Sequence, residues 1–162
     1  MTISRLATAA VAATLLAGGA APALAQNHLI VPVEKIQWQP APPILPPGAQ
    51  IAVLEGNPAE KGPVVMRLKF PANYTIPPHW HSMTERIVVV SGVFHYGMGE
   101  SVDRAGSQAL NAGSFVSLPS KMHHYAWTKT PTVVQINLEG PFDLFYINPA
   151  DDPQNKTVAK AR

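Results

Sequence analysis

The stretch His79–Gly92 reads HWHSMTERIVVVSG, and its interpretation decides the rest of the chain. Two histidines stand one residue apart, a glutamate follows four positions later, and a valine-rich run ends in Ser-Gly. In a β-strand alternate side chains share a face. His79 and His81 therefore point the same way, and Glu85 shares their parity if the strand continues. Imidazole and carboxylate ligands suit Mn, Fe, Co, Ni, Cu or Zn. Three such ligands on one side of a pocket make half of a six-coordinate site, so the remainder must come from elsewhere in the fold.

Outward from this stretch the chain reads as short strands with turn punctuation. IAVLEG and PVVMRLKF precede it, and PANYTIPP is a turn leading into it. ERIVVV and VFHYGMG are strands hinged at Ser91-Gly92. SFVSLP, HHYAWT, TVVQINLEG and FDLFYIN are four more. GESVDRAGSQALNAG is a long polar connection with one short helical turn expected near Ala105–Leu110. The 17 prolines argue against long helices and for strands joined by rigid turns. The pattern predicts an all-β fold, a barrel or a two-sheet sandwich, with at most one short helix.

The segment before the strands divides in two. Residues 1–25 carry one cation, Arg5, then an apolar run from Leu6 to Ala17, helix breakers at Gly18, Gly19 and Pro22, and an A-x-A site at Ala23–Ala25. This is the layout of a cleaved secretory signal peptide. The competing reading is a membrane anchor, but the apolar run of about a dozen residues falls short of the ~20 needed to span a bilayer. No twin arginine is present, which favours the general secretory route. The expected location is periplasmic or secreted, with no membrane anchor after cleavage. Residues 26–49 are a proline-rich lead-in in which Ile44 and Leu45 are expected to dock. Residues 50–148 hold the barrel, and residues 149–162 a polar tail. The chain has no cysteine, so an exported form has no disulfide to stabilise it. Its 12 cationic and 10 anionic side chains nearly balance and form no basic run, which excludes nucleic acid as a partner.

A fourth ligand is offered by GSFVSLPSKMHHYAW, residues 113–127, with its pair His123-His124. Parity cannot choose between the two histidines. The spacings His79-x-His81-x3-Glu85-x6-Gly92 and Gly113-x5-Pro119-x4-His124 resemble, in order, the two motifs of the cupins. The resemblance covers roughly Gln50 to Phe145, and GPFDLFYINPADDP resembles small secreted single-domain members. It implies an antiparallel jelly-roll β-barrel of the RmlC-like kind. It also implies one divalent metal held by His79, His81, Glu85 and His124, with His123 as a neighbour. Three positions depart from the family pattern. Asn73, Lys121 and Thr128 replace an expected glycine, glycine and asparagine, and Asn73 is the mildest because Asn tolerates left-handed backbone.

Four protein ligands on an octahedral ion leave two positions for a substrate, or for a substrate plus water or dioxygen. Such a metal acts as a Lewis acid or lowers the pKa of bound water. The ligand set does not rank Mn, Fe and Zn. Phe94, Tyr96, Phe115, Tyr125 and Trp127 surround the site in sequence, and an apolar pocket favours a small neutral or aromatic molecule. Arg67 and Arg86 read as solvent-facing strand cations, His95 as a strand residue and His28 as exposed. The function expected is a metalloenzyme (dioxygenase, lyase or isomerase) in which Glu85 doubles as a base. Two alternatives are a non-catalytic binding or sensing module and a metal-binding structural protein. Analogy with small cupins adds a homodimer.

Overall fold

The computed structural model describes residues 28–155; the expected signal peptide and the end of the polar tail lie outside them. Residues 28–30 are exposed, and Val31 onward forms the compact unit considered below. Among the described residues no helix is long and apolar enough to cross a membrane.

Among the described residues eleven strands make two antiparallel sheets. The first, in order, is β1 (Gln39–Pro40), β2 (Gln50–Glu55), β3 (Gly62–Phe70), β10 (Thr132–Gly140), β5 (Glu85–Ser91) and β8 (Phe115–Leu118). The second is β11 (Phe145–Tyr146), β4 (Thr75–Trp80), β9 (His124–Trp127), β6 (Val93–Met98) and β7 (Gln108–Asn111). From β3 to β6, and again from β8 to β11, consecutive strands alternate between the sheets. This is a jelly-roll arrangement, the all-β fold that the pattern predicts. Among the described residues helix is confined to single turns at Val33–Lys35, Pro149–Asp151 and residues 153–155.

The hydrophobic alternation explains the core. On β3, Val64, Met66, Leu68 and Phe70 are buried while Val65, Arg67 and Lys69 face out. Their partners on β10 are Leu138, Ile136, Val134 and Thr132, again the buried set of that strand. Each fully buried aliphatic contributes about 1.5–3 kcal/mol. The second sheet turns Ile76, Phe94 and Ala126 onto this floor. Phe70 stacks on Tyr74 and Phe94 at one end, with ring centroids 5.1 and 6.1 Å apart. The lead-in docks: Leu45 and Ala49 are buried, and the Tyr74 and Tyr146 hydroxyls donate to the carbonyls of Pro46 and Ile44.

Several local expectations change. No helical turn spans Ala105–Leu110; a turn at Arg104–Gly106 leads into β7, an edge strand with mostly polar, exposed residues. FDLFYIN does not form a full strand, since only Phe145 and Tyr146 pair with β4. Asn73 and Lys121 do adopt left-handed backbone, with φ of 57° and 63°. The expected turns therefore persist without glycine. Gly92 has φ of 77°, and a Cβ there would lie 2.5 Å from the Pro131 carbonyl oxygen, so the crossing from β5 to β6 requires glycine.

Candidate metal centre

His79 owes its direction to an irregularity. Between Ile76↔Ala126 and His79↔His124 the pairing of β4 with β9 shifts register at Pro77-Pro78. The bulge lets both Ile76 and His79 face inward, although simple alternation would oppose them. His124 opens β9 directly across from His79. His81 lies just past the end of β4. A bend at Ser82–Met83 follows, and the next strand begins at Glu85 in the opposite sheet. The shared parity expected of Glu85 is therefore not what brings it in, because the strand does not continue. Glu85 meets the histidines across the sandwich.

The four side chains converge. His79, His81 and His124 offer ligand atoms within 4.8 Å of one another. Their ring centroids lie 4.2 Å (His79–His124), 5.0 Å (His79–His81) and 5.3 Å (His81–His124) apart. Glu85 Oε2 lies 3.5 Å from His81 Nε2 and 3.7 Å from His124 Nε2. None of the four is more than 4% exposed.

Hydrogen bonding fixes how the imidazoles present themselves. Each Nδ1 faces a backbone carbonyl: Pro77 at 2.7 Å for His79, Asp143 at 2.5 Å for His81 and Met122 at 2.9 Å for His124. A carbonyl only accepts, so Nδ1 carries the proton and Nε2 keeps its lone pair. The Nε2 of His81 is buried and has no hydrogen-bond partner. Burial, reinforced by His124 and His81, holds His79 well below its usual pKa. Burial also brings His124 down to about 4. Burial raises the Glu85 carboxyl, against the opposing pull of His81. Imidazoles that commit Nδ1 to carbonyls and turn Nε2 toward one another and a buried carboxylate are a donor set that a divalent transition metal fits.

The cavity at this cluster is narrow, about 20 Å³. Its other walls are apolar and include Leu45, Leu68, Ile136, Phe142 and Leu144. Of the aromatics in the motifs, Phe94 lines this cavity. Tyr96 is buried, with its ring 6.0 Å from His124. Its hydroxyl donates to Met98 Sδ. Burial and the nearby Glu85 both raise its pKa. The other three do not face the cavity. Phe115 is exposed on edge strand β8. Tyr125 lies on the outer face of β9, donating its hydroxyl to the Asp103 carbonyl at 2.6 Å. Trp127 stacks on His95 outside the sandwich at 3.7 Å. Arg67 bonds Gln135, while Arg86 is exposed. His123 pairs with Glu100 at 3.2 Å at the surface, and His28 is exposed.

Sequence reasoning missed the contributions of Ser82, Phe142, Asp143 and Leu144. Phe142 packs on His81 with ring centroids 5.6 Å apart. Asp143 bonds both His81 and Ser82 across some sixty positions. Only the apolar Phe-x-Leu spacing at 142–144 signalled that this segment faces the core.

Fold and site together define a jelly-roll protein with a buried three-histidine centre, the cupin plan. The ChrR cupin-like domain matches residues 26–143, and the chain belongs to that family. Similar solved structures include the polyketide cyclase RemF from Streptomyces resistomycificus. It is 16% identical, with 82% of this chain and 94% of that chain covered and a TM-score of 0.63. The DMSP lyase DddQ from Ruegeria pomeroyi is 17% identical over 77% of this chain and 74% of that one, with a TM-score of 0.56. An RmlC-like cupin from Shewanella frigidimarina is 18% identical over 70% and 91%, with a TM-score of 0.54. At these identities the likeness is one of fold. No curated protein matches the chain in sequence.

Proposed function

We propose that this chain is an exported cupin holding one divalent transition metal through the Nε2 atoms of His79, His81 and His124 and the carboxylate of Glu85. In this reading it is a metalloenzyme for a small neutral or aromatic molecule, of the dioxygenase, lyase or isomerase type. The observation that carries it is the shared arrangement of the three imidazoles. Every Nδ1 is committed to a carbonyl, and the Nε2 of His81 is buried without a partner. A buried polar atom left unpaired costs about 1–3 kcal/mol, a cost that a bound cation removes.

A bound metal would supply Lewis-acid polarisation of a coordinated substrate oxygen, or redox chemistry with dioxygen. The chain's own groups supply the rest. The apolar walls exclude water and favour neutral substrates. Glu85, buried 3.5 Å from His81 and 3.7 Å from His124, is placed to accept a proton as a substrate binds. RemF is named as a cyclase and DddQ as a lyase, which is consistent with non-oxidative chemistry on this fold.

The deciding experiment is elemental analysis of the purified protein, with His124→Ala alongside, followed by assay on a substrate panel. One equivalent of metal in the parent, lost in the variant, supports the ligand set. Unchanged metal content in the variant rejects it. The absence of a second acid–base pair among the cavity walls favours a binding or sensing module as the alternative. Ligand binding without turnover across the panel would select that alternative.

Residues 1–25 are assigned as a cleaved leader, 26–49 as a lead-in packed on the barrel, 50–148 as the barrel and 149–162 as a tail. N-terminal sequencing of protein from the periplasm or culture medium checks the cleavage after Ala25. Light scattering checks the proposed homodimer.

A further inference from the structure

The three histidines are not held alike. His79 and His124 give their Nδ1 protons to carbonyls two residues back in their own segments, Pro77 and Met122. Those bonds form whenever β4 and β9 form. His81 gives its proton to the carbonyl of Asp143, 62 positions away. The aim of His81 therefore depends on a segment that joins its neighbourhood only in the assembled fold.

That segment also closes the cavity. Phe142 and Leu144 line it, on either side of Asp143 in the chain. Most other walls belong to strands held by continuous ladders, such as the nine-pair register of β3 with β10. Phe142–Leu144 lies between β10 and β11 outside any ladder. It is tied by Phe142 N–H to the Pro58 carbonyl at 2.7 Å and, past the short β11, by Ile147 N–H to the Pro78 carbonyl at 2.9 Å. Its central fastening is the Asp143 carboxylate. One oxygen accepts the Ser82 N–H at 2.8 Å and the other accepts the Ser82 hydroxyl. Ser82 follows His81 directly in the chain, so this clasp grips the backbone next to the ligand that Asp143 also orients.

We propose that Phe142–Leu144 is a latched strap over the metal cavity, and that Asp143 is the positioning residue that couples its closure to the metal-binding form of His81. This rests on the metal-centre reading given above. The cavity is narrow as it stands, and the strap is the wall outside the strand ladders that also holds one of the three histidines. Lifting it releases Phe142 from the His81 ring and the Nδ1–H of His81 from its acceptor in one movement. The centre grips its metal most firmly when closed and loosens when the strap lifts for exchange.

The test compares Asp143→Ala, Asp143→Asn and Ser82→Ala with the parent. One measurement uses metal-free protein: nitrogen NMR of the His81 ring, which reports the tautomer. The parent shows a single Nδ1–H form, and Asp143→Ala shows mixed tautomers. The other measurement is Zn(II) affinity and the rate of Zn(II) release to a chelator. Asp143→Ala frees the clasp on Ser82 and lets the strap carry its backbone carbonyl away from His81, which weakens affinity by about 10–100-fold and speeds release, as expected when an outer-shell acceptor is displaced. Asp143→Asn keeps an acceptor for the Ser82 N–H and falls between Ala and parent. Ser82→Ala alters an exposed side chain, gives a several-fold loss, and carries the test if Asp143→Ala fails to fold. A folded Asp143→Ala, or failing that Ser82→Ala, with the parent's tautomer and with affinity and release within about twofold of it overturns the strap. If the parent itself takes up no Zn(II) or other divalent metal, the metal reading falls, and the His81 tautomer alone decides the latch.

Discussion

The two ends of the barrel interior both bury polar side chains, and they treat them in opposite ways. At the aromatic end Thr128 and Thr132 are at most 1% exposed, and both are satisfied. Thr128 donates to the Pro71 carbonyl at 2.8 Å and accepts from the Tyr74 N–H at 3.4 Å. The Thr132 hydroxyl has the carbonyls of Val93 and Thr130 within 3.0 Å. At the other end His81 Nε2 has no hydrogen-bond partner, and burial raises the pKa of Glu85 despite the opposing pull of His81. Burial alone therefore does not mark a site. Polar groups that tie up their own backbone are structural; convergent lone pairs left open are poised for a ligand. Such a ligand stabilises the fold by mass action, so the open end is weaker without it.

That contrast can be broken by exchanging the effects of mutations at the two ends. The largest expected effect is His124→Ala. It lowers metal affinity by more than the about 100-fold that marks the upper range for outer-shell changes, read by competition with a chelator. Phe70→Ala removes a fully buried ring that forms the far, aromatic wall of the same cavity, and lowers unfolding free energy by about 3–5 kcal/mol in denaturant titration. It leaves metal stoichiometry at the parent value. If Phe70→Ala lost its metal while His124→Ala kept it, the division of the barrel into a structural and a functional end would be wrong.

Acidification gives the next effect. In metal-free protein, burial holds His124 down to about 4, whereas the unfolded imidazole keeps a value near 6.5. Between those values only the unfolded chain takes up the proton, so stability falls as pH drops from 6.5 towards 4. His124 contributes on the order of 3 kcal/mol to that loss. His79, also depressed by burial, adds to it with the same sign. Glu85 acts in the opposite sense, because its raised pKa lets the folded chain bind a proton first as pH falls. Two histidines against one glutamate leave a net loss, measured as a lower denaturation midpoint at pH 4.5 than at pH 7.

Thr128→Val keeps the shape of a satisfied group while removing its hydroxyl, and costs about 1–3 kcal/mol with no change in metal binding. The smallest effect belongs to Lys121, whose left-handed backbone is strained for a residue with a Cβ. Lys121→Gly raises stability by up to about 1 kcal/mol, seen as a higher thermal midpoint.

The legible parts of the molecule were those written in short-range spacing. Gly92 at the sheet crossing and the alternation of PVVMRLKF follow from neighbours in the chain, whereas the convergence of His79 and His81, read as strand parity, rests on the bulge at Pro77-Pro78 and on a position just past the end of β4. The position of Glu85 was legible only as a motif, because the bend at Ser82–Met83 carries no parity signal and moves it to the other sheet. Strand β7 was missed because QALN is mostly exposed, with Leu110 as its one side chain packed against the core. Tyr125 was ambiguous for a related reason. Its burial comes from outside the sandwich, where a Cβ on Gly97 would lie 2.2 Å from its ring. Asp143 was invisible because its role is set by a contact with Ser82 that only the folded chain creates.

One contact made by the strap's continuation provides an optical signal. Trp80 stacks on Phe145, the residue after Leu144, with ring centroids 4.3 Å apart. The other two tryptophans lie under cations, Trp38 beneath Lys69 and Trp127 beneath Arg104. Trp80 alone is stacked on the segment that continues the strap. A chain with Trp38 and Trp127 replaced by phenylalanine would carry one tryptophan, with emission that follows the opening and closing of its own cavity in real time, without any attached dye.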